Sequence, residues 1–142
     1  MPATEADRAA LTRRLRVLIV DDDARIRRGL REMIETSDDV SVAGEAASGK
    51  QALELDHRLQ PDVVIVDVLL PQAADGLGVL AELANRNRPT IAISACDGLA
   101  SDAIAAGADS FISKGSSLID ELLSAIRAVT PTHLDRQSRP DS

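Results

Sequence analysis

The sequence predicts one α/β domain, in which a five-stranded parallel sheet is covered by helices on both faces. Short apolar segments rich in β-branched residues alternate along the chain with segments of helical period. A length of 142 residues suits a single domain with a sizeable core. Right-handed crossovers between parallel strands place the connecting helices on both faces of the sheet, so these observations together predict a doubly wound architecture.

The five predicted strands are short and mostly apolar. The first, third and fourth lack polar alternation, as expected of strands that are buried on both sides. The strands are LRVLIV (15–20), VSVAGE (40–45), DVVIVD (62–67), TIAIS (90–94) and SFIS (110–113).

Helical spacing of apolar residues predicts a helix after each strand. In the first helix this spacing places Leu30 and Met33 in the core, and the segment before Lys114 is short enough to predict a brief or irregular fourth helix. Pro131 ends the last helix, and the polar segments 1–14 and 131–142 are expected to be flexible ends of a domain over 15–130. The predicted helices cover residues 24–36, 49–59, 76–86, 101–107 and 117–129.

Composition excludes several classes of function. The net charge is −7 and Phe111 is the only residue among Phe, Trp and Tyr, which disfavours nucleic-acid binding through this domain. The single Cys96 excludes an intramolecular disulfide. The N-terminal residues contain no signal-peptide pattern, and no apolar run reaches the roughly 18 residues of a membrane span. A cytoplasmic protein without membrane contact is therefore expected.

Three aspartates, Asp21 to Asp23, follow the first strand directly. Two carboxylates about 4 Å apart repel by roughly 4 kcal/mol at an effective dielectric near 20, so folding alone gives no reason to gather them. Helix capping is an alternative explanation, but one aspartate would be enough for a cap. A bound cation would offset the repulsion.

Other polar residues end neighbouring strands, and ligands of open parallel sheets bind beyond these carboxyl ends. The third strand ends in Asp67, the fourth in Ser94, and Lys114 follows the fifth. Carboxylate oxygens from two strands suit Mg²⁺, which retains open positions for water and phosphate oxygens. The sequence therefore predicts a magnesium site that also carries a hydroxyl and an ammonium group.

Four segments, VLIVDDD, PDVVIVDVLLP, TIAISA and AGADSFISK, resemble in order and spacing the receiver domains of two-component response regulators. The resemblance covers about residues 15–130 and implies a flavodoxin-like (βα)5 fold. The segment SKGSS resembles the subgroup of receivers that are joined to helix-turn-helix DNA-binding domains.

The resemblance also implies roles for individual residues. Asp67 matches the phosphorylated aspartate, and Ser94 and Lys114 match the hydroxyl and the lysine that contact the phosphoryl group. Phe111 matches the aromatic switch residue, Asp23 remains a candidate helix cap, and the side chains of Leu69 and Cys96 are expected to tune hydrolysis. The implied Mg²⁺ ligands are the carboxylates of Asp21, Asp22 and Asp67 and the backbone carbonyl of Leu69.

These roles imply a signalling protein that accepts a phosphoryl group from a histidine kinase or phosphotransfer protein and that catalyses only its own phosphorylation and dephosphorylation. A loop with one extra residue between Pro71 and Asp75 supports an alternative, a degenerate receiver that docks partners without phosphorylation. A phosphohydrolase of the aspartyl-phosphate type would resemble D-x-D-x-T, which DDDAR does not match. A homodimer and a DNA-binding output domain outside this sequence are left open.

Overall fold

The computed structural model describes residues 14–70, 73–115 and 117–129, and for residues 73 and 74 it describes the backbone alone. Its five strands form one parallel sheet in the order β2-β1-β3-β4-β5. This arrangement confirms the predicted fold class. The strands are β1 (Leu15–Val20), β2 (Val40–Ala46), β3 (Val63–Asp67), β4 (Thr90–Ser94) and β5 (Ser110–Ser113). The helices are α1 (Ala24–Ile34), α2 (Gly49–Leu59), α3 (Ala73–Asn85), α4 (Ala100–Ala106) and α5 (Leu118–Val129).

Alternate side chains of the buried strands fill two apolar layers, one on each face of the sheet. Ile19 and Ile65 point to the face covered by α1 and α5, whereas Leu18 and Val64 point to the face covered by α2, α3 and α4. Every residue of β3 and β4 is buried. The carboxyl ends of these central strands are therefore held by packing on both sides.

Local sequence signals explain where the first two helices begin. Asp23 precedes α1, and its Oδ1 accepts a hydrogen bond of 2.9 Å from the Arg25 N–H. Ser48 caps α2 in the same manner, accepting from the Gln51 N–H. Both residues satisfy backbone donors that the first helical turn leaves unpaired. Asp23 is thus the helix cap of the acidic cluster.

Three sequence expectations need correction. Met33 is 41% exposed, because α1 turns Leu30 and Ile34 toward the core and Met33 lies beside that face. Helix α3 begins at Ala73, three residues before the predicted start, and includes Gly76 within it. A Cβ at Gly76 would lie 2.0 Å from the Val68 carbonyl oxygen, so only glycine permits this approach of α3 to the chain after β3. The first helix ends at Ile34, two residues before the predicted end.

The brief fourth helix is confirmed. A 3₁₀ turn at Asp97–Leu99 precedes the seven residues of α4. The terminal segments 1–13 and 130–142, and residues 71 and 72 of the loop with the extra residue, lie outside the described residues. Among the described helices, none combines the length and apolar character that crossing a bilayer requires.

Candidate functional site

The strand ends bring the predicted polar residues to one edge of the sheet. Asp21, Asp67 and Ser94 are buried there, and Asp22 is exposed. Lys114 follows β5, and its N–H donates to the carbonyl of Ser94 at 2.9 Å, which continues the β4·β5 ladder by one residue. This backbone bond carries the lysine side chain to the acidic residues.

The ammonium group of Lys114 connects the two buried carboxylates. Its Nζ lies 3.0 Å from Asp67 Oδ2 and 3.2 Å from Asp21 Oδ2. The other oxygen of Asp67 accepts a hydrogen bond of 3.1 Å from the Leu69 N–H. Asp67 is therefore fixed from two sides while it stays at the rim of the sheet.

The surroundings of Asp67 disfavour the charged form of its carboxyl group. Burial raises the pKa of the Asp67 carboxyl above its ordinary value, and the charge of Asp21 acts in the same direction, while Lys114 offsets part of the effect. Burial would lower the pKa of Lys114, but its hydrogen bonds to both aspartates and their charges outweigh this and raise it. The negative charge at Asp67 is therefore only partly compensated by the residues of the protein itself.

The three carboxylates fit a divalent cation. Asp21, Asp22 and Asp67 each offer an oxygen, and these oxygens lie within 4.8 Å of one another. Hard oxygen donors are those that Mg²⁺ prefers, and Mg²⁺ commonly uses one or two carboxylates. The backbone carbonyl of Leu69 as a further ligand stays a prediction.

Ser94 and Phe111 occupy the positions from which the resemblance implies a switch. The Ser94 hydroxyl is buried and accepts a hydrogen bond of 3.0 Å from the Cys96 N–H. Phe111 lies beside Ala92 in the β4·β5 register, and its half-buried ring packs on the apolar layer under α2, α3 and α4. Their switching roles stay predictions.

Two predicted residues, Leu69 and Cys96, border the site without entering its charged centre. Leu69 is 39% exposed, and Cys96 is exposed at the start of the loop after β4. The tuning roles of Leu69 and Cys96 stay predictions.

Three hydrogen bonds near the site were not found from the sequence. Arg27 donates to the carbonyl oxygen of Asp21 at 2.6 Å and to Glu45 at 3.2 Å. Asp97 accepts a hydrogen bond from the hydroxyl of Ser113, the residue before Lys114. A signal for Arg27 was present, because it shares the helical face of Leu30 and Ile34, where a charged residue needs a partner.

Comparison with known proteins gives consistent results. The family described as the response regulator receiver domain matches residues 17–127. A protein-glutamate methylesterase/protein-glutamine glutaminase of Methanococcoides burtonii is 38% identical over 109 residues, covering 73% of this chain and 31% of the relative. Response regulator GacA of Pseudomonas viridiflava is 37% identical over 120 residues, covering 81% of this chain and 55% of the relative.

A solved structure supports the same comparison. The response regulator domain of Thermotoga maritima CheB has a TM-score of 0.73 and 31% identity, covering 82% of this chain and 96% of that one. The chain spans about a third of the methylesterase and about half of GacA. The similarity to these curated proteins therefore concerns one part of each.

Proposed function

The chain belongs to the response regulator receiver domain family, and from this premise we propose that it takes a phosphoryl group onto Asp67 from a histidine kinase or phosphotransfer protein. The observation that carries the proposal is the placement of Asp67, a carboxylate with a raised pKa that contacts Lys114 at 3.0 Å beside two further aspartates. Phosphorylation of Asp67 would then alter the affinity of this domain for an output partner or a joined output domain.

The proposed reaction transfers a phosphoryl group from a histidine imidazole of the donor to the carboxylate of Asp67. A carboxylate oxygen of Asp67 attacks the phosphorus of a phosphohistidine, the P–N bond breaks, and its electron pair returns to the imidazole, which takes a proton from solvent. Because charge collects on the transferring oxygens, positioned cations lower the barrier. The Lys114 ammonium, 3.0 Å from Asp67 Oδ2, would supply one such cation beside the attacking carboxylate.

The acidic residues would hold a magnesium ion next to the acceptor. Asp21, Asp22 and Asp67 would supply the carboxylate ligands. A bound Mg²⁺ supplies electrostatic stabilisation to the phosphoryl oxygens and offsets the repulsion among the carboxylates. Asp21 is oriented by the N–H of Asp23, which donates to its Oδ1 at 2.9 Å, so its carboxylate is held in place before any ion binds.

The degenerate receiver, the alternative to phosphorylation, has no observation in its favour. Such a protein would be expected to lack part of the acceptor site, whereas Asp22, Asp67 and Lys114 lie together here. The extra residue lies between Pro71 and Asp75, where residues 71 and 72 are outside the described part of the chain, and the Asp67 carboxylate keeps its hydrogen bond from the Leu69 N–H.

Intact-mass measurement after incubation with acetyl phosphate and Mg²⁺ tests the proposal. The wild-type protein is expected to gain one phosphate, Asp67→Asn none, and Asp22→Ala much less than wild type. Asp75→Asn is the matched control, because Asp75 is an exposed aspartate in the first turn of α3 and its variant should be phosphorylated like wild type. A phosphate gained equally by Asp67→Asn would refute the assignment.

A further inference from the structure

Arg27 lies on the buried face of α1 and contacts the backbone of the acidic cluster. Its side chain is 16% exposed. The guanidinium donates from Nη1 to the carbonyl oxygen of Asp21 at 2.6 Å and from Nε to Glu45 Oε1 at 3.2 Å. One side chain thus connects the helix after β1, the loop with the aspartates and the edge strand β2.

A register shift in the sheet puts Glu45 in position for this contact. The pairing of β1 with β2 slips by one residue between Val17 and Leu18, so that Glu45 lies opposite Ile19. Ile19 faces α1 and α5, and directly paired residues share a face of a parallel sheet. Without the slip Gly44 would occupy that place. The irregularity therefore directs a carboxylate toward Arg27, and Arg31 lies 3.0 Å from its other oxygen.

The Asp21 carbonyl belongs to the peptide group that leads into Asp22. Because that peptide group is planar, fixing the carbonyl also fixes the direction in which the chain enters Asp22. The N–H of Asp21 donates to the Ala46 carbonyl at 3.1 Å, and its carboxylate contacts the Asp23 N–H and Lys114. Arg27 supplies the contact that orients the following peptide, whose residue Asp22 is exposed and less constrained by packing.

We propose that Arg27, held by Glu45, is a positioning residue of the metal site: it orients the Asp21–Asp22 peptide so that both carboxylates face Asp67. The inference rests on the proposed function, because it assumes that this cluster binds Mg²⁺. It concerns residues that reach the ion only through Asp21 and Asp22.

The sign of the effect on Mg²⁺ affinity separates positioning from two simpler roles. If Arg27 acted only through its charge, its removal would tighten Mg²⁺ binding, since a nearby guanidinium repels the ion. If it only tied α1 to β2, its removal would lower the free energy of unfolding and leave the affinity of the folded protein unchanged. Of the three roles, only positioning predicts that a folded Arg27 variant binds Mg²⁺ more weakly.

Calorimetric titration of the full chain with Mg²⁺ measures this affinity. Arg27→Gln is expected to weaken Mg²⁺ binding by about tenfold, the lower range for residues that orient metal ligands. Arg27→Lys should weaken it similarly although it keeps the charge, because one ammonium cannot reproduce the planar fork that reaches both oxygens. Glu45→Gln should have a smaller effect, since its amide oxygen still accepts from Arg27.

Arg28→Gln is the matched control, because Arg28 is the exposed neighbour of Arg27 and its removal changes the charge equally. Its affinity should equal that of wild type or be slightly higher. Should Arg27→Gln fail to fold, Arg27→Lys decides the question. Unchanged or tighter binding by the folded Arg27 variants would overturn the positioning role alone, whereas a wild-type protein that binds no Mg²⁺ would overturn the metal site as well.

Discussion

The N–H of Cys96 donates a hydrogen bond of 3.0 Å to the hydroxyl oxygen of Ser94. Ser94 is fully buried at the end of β4, so its oxygen is engaged by the loop that follows it. If the Ser94 oxygen moves toward a phosphoryl group on Asp67, this bond to the Cys96 N–H lengthens or breaks. We therefore expect the loop after β4 to respond to the chemical state of the acceptor.

Binding of beryllium fluoride with Mg²⁺, a mimic of the phosphoryl group, is expected to shift the NMR signals of the Phe111 ring. Movement of Ser94 toward the acceptor would free space into which the ring turns. Phe111 is the only Phe, Trp or Tyr in the chain, so its ring protons give a nearly isolated signal set. Ser94→Ala should reduce the shift, and Ser101→Ala, an exposed serine of α4, should not.

The coupling is expected to be loose. Moving a two-state equilibrium from 1:99 to 99:1 takes about 5.5 kcal/mol, and one hydrogen bond contributes only about 1 kcal/mol. Lys114, the metal and burial of the Phe111 ring must add to it. Serine also lacks the methyl group that restricts threonine at χ1. Phe111 signals that stay in place while amides near Asp67 shift would contradict this route.

Polar replacement of Leu69 or Cys96 is expected to shorten the lifetime of the phosphorylated state. Both side chains are exposed beside the acceptor and apolar, so they should obstruct an attacking water. Leu69→Asn and Cys96→Asn should each speed hydrolysis severalfold, measured as loss of phosphate from intact protein after the donor is removed. Leu69→Met keeps the volume and apolar character and should leave the rate close to wild type. Hydrolysis rates in both asparagine variants that equal the wild-type rate would eliminate obstruction by Leu69 and Cys96.

The sequence predicted the strands and the charged centre well because both follow from short-range patterns. Residues 63–66 and 91–93 are continuous apolar runs, and the residues ending parallel strands share one edge of the sheet. Met33 was wrongly placed because the apolar stripe of α1 is wide enough for two orientations. Tertiary packing on Leu30 and Ile34 decides between them.

The Arg27–Glu45 contact could not be predicted for a different reason. It depends on the slip in the β1·β2 register at Val17, which changes the face toward which Glu45 points. No pattern within β2 alone signals that slip. The hydrogen bond of Asp97 to Ser113 likewise joins two loops whose relative placement is set by the whole sheet.

Asp22→Ala is expected to raise the thermal stability of the protein in the presence of a chelator. The Asp22 carboxylate lies within 4.8 Å of those of Asp21 and Asp67, and removing one charge at such a distance in water relieves about 1 kcal/mol. Added Mg²⁺ should reverse the order by stabilising wild type alone. Asp102→Ala, which removes an exposed aspartate from α4, is the control for net charge. A lower melting temperature of Asp22→Ala than of wild type in chelator would show that repulsion among the three carboxylates does not destabilise the fold.

Asp67→Asn is expected to be more stable than wild type near neutral pH without metal. Burial and the charge of Asp21 raise the pKa of Asp67 in the folded state above its ordinary value of 3.8. A raised pKa favours folding below the unfolded value, and this contribution is lost as the pH rises through the folded value. The advantage of the neutral variant should therefore shrink on acidification, as measured by urea unfolding across the acidic range. A pH-independent difference would contradict the assignment to Asp67.

Arg127→Gln is expected to lower stability near neutral pH but not in strong acid. Arg127 contacts Asp39 in a bidentate manner, with Nε 2.8 Å from Oδ2 and Nη2 3.0 Å from Oδ1, which ties α5 to the turn before β2. Hydrogen bonds from Arg127 and Ser37 hold the pKa of Asp39 well below its ordinary value. A lowered pKa stabilises the fold above the unfolded value of 3.8, and the effect fades as the pH falls toward the folded value.

Both side chains of this pair are about half exposed, so solvent screening limits the loss to about 0.5 kcal/mol. Urea unfolding of Arg127→Gln and wild type at several pH values measures the loss, which should narrow in the acidic range and also at high salt. Arg28→Gln, an exposed arginine of α1, controls for the change in net charge. If the stability difference persisted in strong acid, Arg127 would act through packing of its aliphatic stem and not through the charge of Asp39.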